Sequence, residues 1–324
     1  MTQPDLTHLL FDPEAGQVIR EPLGSGDGWW AGAPGAFYDE VANRFYLLYR
    51  YRRPRGVEPD RGGELLLAES EDGLAFRDVW RLTKAELGSA SLERACLRRL
   101  DRDDWRLWVS YVDPADSRWR IDELRASSPL GFDASARRPV LTAGDLGVEG
   151  VKDPWVASVD GALHMVVSLA ARVPSAAPAS DTDLHSTADA YDTGLILSHS
   201  GLAMSPDGRD WGWQGPILSA GGVGTGWDGY SARLACVLPA EEGFVGYYDG
   251  AYGVANHYDE ATSLCAGPDL RHLARLSPDG PLLRAPHGLG CCRYFDAVRA
   301  HGHTHVYYEY GRPDGSHDLR VTVL

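Results

Sequence analysis

Short apolar runs separated by clusters of Gly, Asp and Pro recur along the whole chain. No convincing stretch places apolar residues at helical spacing for three turns, so the pattern predicts strands rather than helices. One region reads GAFYD, FYLLYRY, ELLLAES and FRDVWRL, and another reads PWVAS, LHMVVSLA, LILSHSG and WGWQGPIL. Each is four strands in a row with turn residues between them. The order recurs. Four segments join a Pro to aliphatic residues and a small or Gly-rich tail, at Pro22, Pro139, Pro216 and Pro281. A short apolar run follows each, and a fifth run, LERACLRR from Leu92, keeps the spacing without the Pro. With starts near Ala33, Glu93, Lys152, Ser231 and Cys292, the steps are 60, 59, 79 and 61 residues. An insertion spanning roughly Ala171 to Gly194 accounts for the long step. Five β-rich units of this size predict an all-β, five-bladed β-propeller.

The ends of the chain extend this prediction. After the last inner strand come HTHVYYEY and DLRVTVL, and the fifth unit then lacks its fourth strand. The first Pro signal has no inner strand before it. Residues 17–23 are therefore expected to complete the fifth blade, which removes an exposed sheet edge and makes residues 1–324 a single domain. Turns between first and second strands are short, whereas the loops between second and third strands are long. Long loops on a rigid scaffold carry function, so the site is expected at the axial funnel where the inner strands begin.

Composition narrows the function. With Lys+Arg 31 against Asp+Glu 46 the net charge is −15, which argues against nucleic acid or an anionic membrane as partner. No apolar stretch is long enough for a membrane span. The opening MTQPDLTHLLFDPEAG lacks a basic segment followed by an apolar one, and the 5 Cys make a poor disulfide framework. A cytoplasmic location is expected.

Ten Trp and 15 Tyr supply flat apolar rings; Trp29, Trp30 and Trp227 precede inner strands on the functional face, where an indole could stack on a ligand ring. Most others, such as Trp80, Trp108 and Trp213, are expected to pack between blades. Cations recur at one level of the units, at Arg94, Lys152, Arg233 and Arg293, where they would favour ionised carboxylates and suit an anionic group. The Arg50–Arg55 cluster lies on a loop of the same face. Its alternative reading is a solvated loop paired with Glu58 and Asp60. His301, His303 and His305 alternate on one strand, but on the opposite face, so no metal site is expected there. His257 or His317 could hold an axial cation or the hydroxyl groups of a ligand. Cys291 and Cys292 have no evident base and read as small buried residues. The insertion reads equally as a lid or as a dispensable disordered loop.

The five-unit layout, Lys152-Asp153-Pro154-Trp155, and turn boxes such as Ser70–Phe76 and Ser205–Trp211 resemble the five-bladed propellers of glycoside hydrolase families 43, 32, 68 and 130. The resemblance covers nearly the whole chain. It implies a sugar substrate and a pair of carboxylates, and it maps a standard active-site carboxylate onto Asp153. Where those families usually place an Asp in the first blade, this chain reads Ala31-Gly-Ala-Pro-Gly-Ala, and the usual Glu of the fourth blade is replaced by Trp227-Asp-Gly-Tyr-Ser-Ala-Arg.

Glycoside cleavage needs one carboxyl that holds its proton and one that is ionised. Asp153, Glu93 and Asp228 are the catalytic candidates. Trp30, Arg50, Arg94, Lys152, Trp227, Arg233, Asp249 and Arg293 are the expected substrate contacts. The expected activity is glycoside hydrolysis, with a phosphorylase or transferase on the same site, or a catalytically inactive sugar-binding propeller, as alternatives. No cofactor is required, and a structural axial cation is allowed for.

Overall fold

A computed structural model describes residues 6–173 and 180–324. Among these, twenty strands account for the regular structure. They are β1 (Gln17–Arg20), β2 (Trp30–Asp39), β3 (Arg44–Arg53), β4 (Arg61–Ser70), β5 (Arg77–Thr83), β6 (Leu92–Asp101), β7 (Asp104–Val112), β8 (Trp119–Ala126), β9 (Arg138–Leu141), β10 (Gly150–Val159), β11 (Ala162–Arg172), β12 (Ile196–Ser205), β13 (Gly212–Leu218), β14 (Ser231–Pro239), β15 (Phe244–Ala251), β16 (Ala261–Gly267), β17 (Ala274–Arg275), β18 (Cys292–Ala300), β19 (His303–Gly311) and β20 (His317–Val323). The class is all-β.

Antiparallel pairing runs in consecutive sets of four: β2 to β5, β6 to β9, β10 to β13 and β14 to β17. The last set is β18, β19, β20 and then β1, whose Gln17 lies opposite Val321. Two further anchors hold the segment before β1, because Tyr308 Oη donates to the Pro13 carbonyl at 2.8 Å and Tyr247 Oη to the Leu9 carbonyl at 2.8 Å. Single parallel bridges, Trp30 to His317 and Ser198 to Ser231, tie neighbouring sets together.

The apolar core lies between the sets. Tyr46 and Leu48 of β3 pack with Leu97, Trp105 and Leu107 of the second set. Trp108, fully buried, meets Trp211 edge-on at 6.0 Å. The first strands β2, β6, β10, β14 and β18 approach one another in succession, and β18 in turn meets β2.

Each first strand carries a bulge near its beginning, between Gly32 and Gly35, Leu92 and Ala95, Lys152 and Trp155, Leu234 and Cys236, and Arg293 and Asp296. A bulge re-aims the side chains beside it, and here it turns charged residues towards the centre. At three bulges a non-glycine residue takes left-handed backbone geometry: Ala33 (φ 53°), Asp153 (φ 58°) and Tyr294 (φ 56°). Such strain concentrates at functional sites. The freed N–H groups are answered from the preceding set. Ala33 N donates to Glu309 Oε2 at 3.0 Å, Asp153 N to Ser110 Oγ at 2.8 Å, Leu234 N to Ser200 Oγ at 2.6 Å and Tyr294 N to Asp249 Oδ2 at 2.9 Å.

Candidate functional site

The bulges surround a narrow cavity lined by side chains from all five sets. Its wall contains the cations Arg50, Arg52, Arg61, Lys152, Arg233 and Arg293, and the carboxylates Glu93, Asp189 and Glu260. Trp30, Trp119, Tyr191, Tyr258 and Tyr294 supply aromatic faces. The lining is thus basic within a chain of net charge −15.

Glu93, on β6, is ion-paired with Arg50 through Oε1 and with Lys152 through Oε2 at 3.3 Å. Burial pushes this carboxyl up, but Arg50, Lys152 and Arg293 outweigh burial and bring it down to about 2. Lys152 Nζ also lies 3.8 Å from Asp153 Oδ2, as does Arg233 Nη1. Asp153 moves the other way. Burial dominates and, with the negative charge of Glu93, raises its pKa against the pull of Lys152 and Arg233. Neither Asp153 oxygen has a hydrogen-bond partner among the described residues.

A second network closes the opposite wall. Glu260 pairs with Arg233 through Oε1 and with Arg293 through Oε2 at 2.6 Å. Arg293 continues to Glu309 at 2.7 Å, and Glu309 accepts from His317 Nδ1 at 2.8 Å. A Cβ on Gly32 would sit 1.9 Å from Glu309 Oε2, so this approach excludes any larger residue there. Trp30 stacks on the His317 ring at 4.6 Å and 7°.

Of the residues expected from sequence, Glu93, Trp30, Arg50, Lys152, Arg233 and Arg293 meet at this cavity. Five do not reach its wall. Asp153 lies beneath Lys152 and Arg233. Arg94 is turned to the centre below, where it donates to the carbonyls of Pro34 (2.7 Å), Ala235 (2.5 Å) and Phe295 (3.2 Å) and pairs with Asp296 at 3.2 Å. Its guanidinium is taken up by main chain from three other sets, which makes Arg94 a central tie between them. Asp228 is held outside the cavity by Arg275 at 2.5 Å, and Trp227 Nε1 donates to the Ser277 carbonyl at 3.3 Å. Both belong to a turn at the rim of the fourth set. Asp249 is buried under the site and accepts from Thr262 Oγ1 at 2.7 Å and from Tyr294 N.

Arg52 was singled out only as part of the Arg50–Arg55 cluster, and Arg61, Asp189, Tyr191, Tyr258, Glu260 and Tyr294 were not anticipated. Arg52 alternates with Arg50 along β3, a period-two signal that was legible. Glu260 follows a long loop and carried none. Tyr191 and Asp189 come from the insertion, whose residues 174–179 lie outside the described residues. Its described part packs in place, with Leu184 and Tyr191 buried and His185 Nε2 2.8 Å from Glu149. His257 lines the cavity and meets Asp192 at 2.7 Å. On the far face His301 and His303 are exposed, while His305 is buried against Phe45.

Asp249 gives a pH prediction. Burial raises its pKa to about 6, against the opposing influence of Arg233, Thr262 and the Tyr294 amide. An acid whose folded pKa exceeds its unfolded value favours the fold at low pH, and that contribution is lost as pH rises through the folded pKa. Asp249→Asn mimics the protonated form. Its thermal midpoint relative to the parent is therefore expected to rise between pH 4 and pH 7, read by melting curves of both proteins across that window; a constant difference would place the titration elsewhere.

No family model matches the chain, and no curated protein matches it. Solved structures do. A protein described as a glycoside hydrolase superposes with a TM-score of 0.69 at 12% identity, covering 98% of this chain and 92% of the other. A thermostable family-43 glycoside hydrolase gives 0.64 at 13% identity, over 95% and 92%. The β-1,2-mannobiose phosphorylase from Listeria innocua, solved with β-1,2-mannobiose, gives 0.57 at 14% identity, over 97% and 94%. The chain has the fold of these carbohydrate-active enzymes. No helix among its described residues is long and apolar enough to cross a membrane.

Proposed function

We propose that the chain is a single five-bladed β-propeller, with blade 5 completed by β1, that cleaves a glycosidic bond in the central cavity. The observation that carries this reading is the Glu93–Lys152–Asp153 cluster. One ammonium lies between a wall carboxylate held ionised and a buried carboxyl pushed towards its protonated form, so an ionised acid is fixed where the substrate would lie. Cleavage passes through a transition state with positive charge on the sugar ring. Glu93, ionised and on the wall, stabilises that charge or takes the proton of the attacking water, a proton that then leaves on the departing sugar oxygen, and the rings of Trp30 and Tyr258 offer apolar faces to the sugar. Asp153 is a positioning residue, acting from beneath through Lys152 and Arg233.

A second reading, phosphorolysis, is supported by the excess of cations over carboxylates on the wall. The third, a sugar-binding propeller without turnover, draws on Ala33-Pro34. This pair stands at the bulge of blade 1 as Asp153-Pro154 stands at that of blade 3, with the same left-handed backbone and no carboxyl.

The deciding experiment is product formation on a panel of aryl glycosides and oligosaccharides, with and without inorganic phosphate, beside Asp153→Asn. Turnover is expected in the parent. A loss of kcat on the order of 10-fold or more in the variant, with a displaced pH profile and an unchanged KM, fits a positioning role. Turnover only with phosphate selects the phosphorylase. Oligosaccharide binding without product under either condition would reject the enzyme reading.

A further inference from the structure

The charges at the cavity do not cancel. Glu93 answers Arg50 and Lys152, and Asp189 answers Arg61 at 3.4 Å. Glu260 and Glu309 answer Arg233 and Arg293, and Asp153 lies under Lys152 and Arg233. Arg52 remains. Among the described residues it has no ion pair and no hydrogen bond, although it is only 8% exposed and lines the cavity.

The guanidinium carbon of Arg52 lies 4.1 Å from the centroid of the Trp30 ring and 5.0 Å from that of Tyr258. These rings hold the group but accept none of its five N–H donors in the plane where a guanidinium bonds best. Arg50, two residues earlier on the same strand, lines the same cavity and, among the described residues, has Glu93 as its one ion-pair partner. Two neighbouring cations in a desolvated space repel one another, and an isolated buried charge is costly unless a counter-charge satisfies it. Burial also pulls the Arg52 guanidinium below its usual pKa range. Sugar hydroxyls could take its hydrogen bonds but would leave its charge standing.

We infer that the cavity takes an oxyanion on the guanidinium of Arg52, with Arg50 as its second partner: the carboxylate of an acidic sugar, or inorganic phosphate. The inference rests on the carbohydrate reading only for what carries a carboxylate into the site. The oxyanion itself follows from the unanswered cation. A bidentate guanidinium–oxyanion contact supplies both planar geometry and charge.

Isothermal titration of the whole chain at low ionic strength tests this, with glucuronate and galacturonate, their neutral counterparts glucose and galactose, and inorganic phosphate as probes. A charge-assisted pairing predicts that an acidic sugar binds roughly 10–100-fold tighter than its neutral counterpart, or that phosphate binds where neutral sugars bind weakly. Either preference should weaken with added salt and vanish in Arg52→Gln, while Arg52→Lys, which keeps the charge and guards against a folding defect, should retain part of it. Preference for an acidic sugar identifies the substrate as the source of the oxyanion; preference for phosphate alone identifies the co-substrate. Equal binding of acidic and neutral sugars with no phosphate binding would overturn the inference and leave the carbohydrate reading standing. Phosphate binding that depends on Arg52, with no sugar of either kind bound, would uphold the oxyanion and count against that reading. A preference unchanged in Arg52→Gln would also overturn the assignment.

Discussion

Replacing Glu93 with Gln is expected to lower kcat by roughly 10²–10⁴-fold, the usual range for losing a positioned acid–base group. Gln keeps the shape but removes the charge that faces the substrate, so the loss should fall on kcat more than on KM. Stability changes as well. Removing one partner of a buried ion pair costs about 3–5 kcal/mol, because the remaining charge is left unanswered. Arg50 is in that position, whereas Lys152 retains Asp153. Activity must therefore be referred to the folded fraction, measured by circular dichroism at the assay temperature. The pH dependence supplies a control. Glu93 titrates at about 2 in the folded chain, below its unfolded value near 4.5. Its stabilisation is present above the unfolded value and is lost as pH falls through the folded one. The stability gap between parent and variant should accordingly narrow between about pH 4.5 and pH 2. Full turnover in a folded Glu93→Gln protein would remove Glu93 from the chemistry.

Arg94→Met should have the largest effect on the fold itself. The side chain is 1% exposed and joins the second four-stranded set to main-chain carbonyls of the first, fourth and fifth sets. Methionine fills part of the volume but leaves three carbonyls and the carboxylate of Asp296 short of a donor. About 3–5 kcal/mol is expected from the broken buried pair, with the stranded carbonyls adding to it. Chemical denaturation should show the midpoint falling. Substrate affinity of the molecules that remain folded should be nearly unchanged, since Arg94 does not line the cavity. A variant of normal stability that no longer binds sugar would return Arg94 to the role that its sequence position suggested.

These two residues are neighbours in sequence, and they show where the legibility of the site ends. Both stand at the level where inner strands begin, and the repeat places them there correctly. The bulge between Leu92 and Ala95 then sends Glu93 to the cavity wall and Arg94 below it. A period-two reading foretells that neighbours diverge, but not which one faces the substrate. Asp228 lies away from the cavity for another reason: Trp227-Asp228-Gly229 carries the composition of a turn as much as that of a site, and Arg275, 47 residues onward, engages its carboxylate.

Strand composition, the recurrence of units near 60 residues and the unpaired ends of the chain lie within the sequence itself, because alternation and turn chemistry are local and write themselves into adjacent positions. By the same logic the sequence determined that an all-β scaffold would present charged residues at its inner-strand starts. The partnerships among those residues were not local. Glu309 reaches Ala33, Glu260 reaches Arg293, and Arg52 is left between two rings with no carboxylate. Only the tertiary structure decided these, since the sign and depth of each charge depend on which distant strands the packing sets beside it.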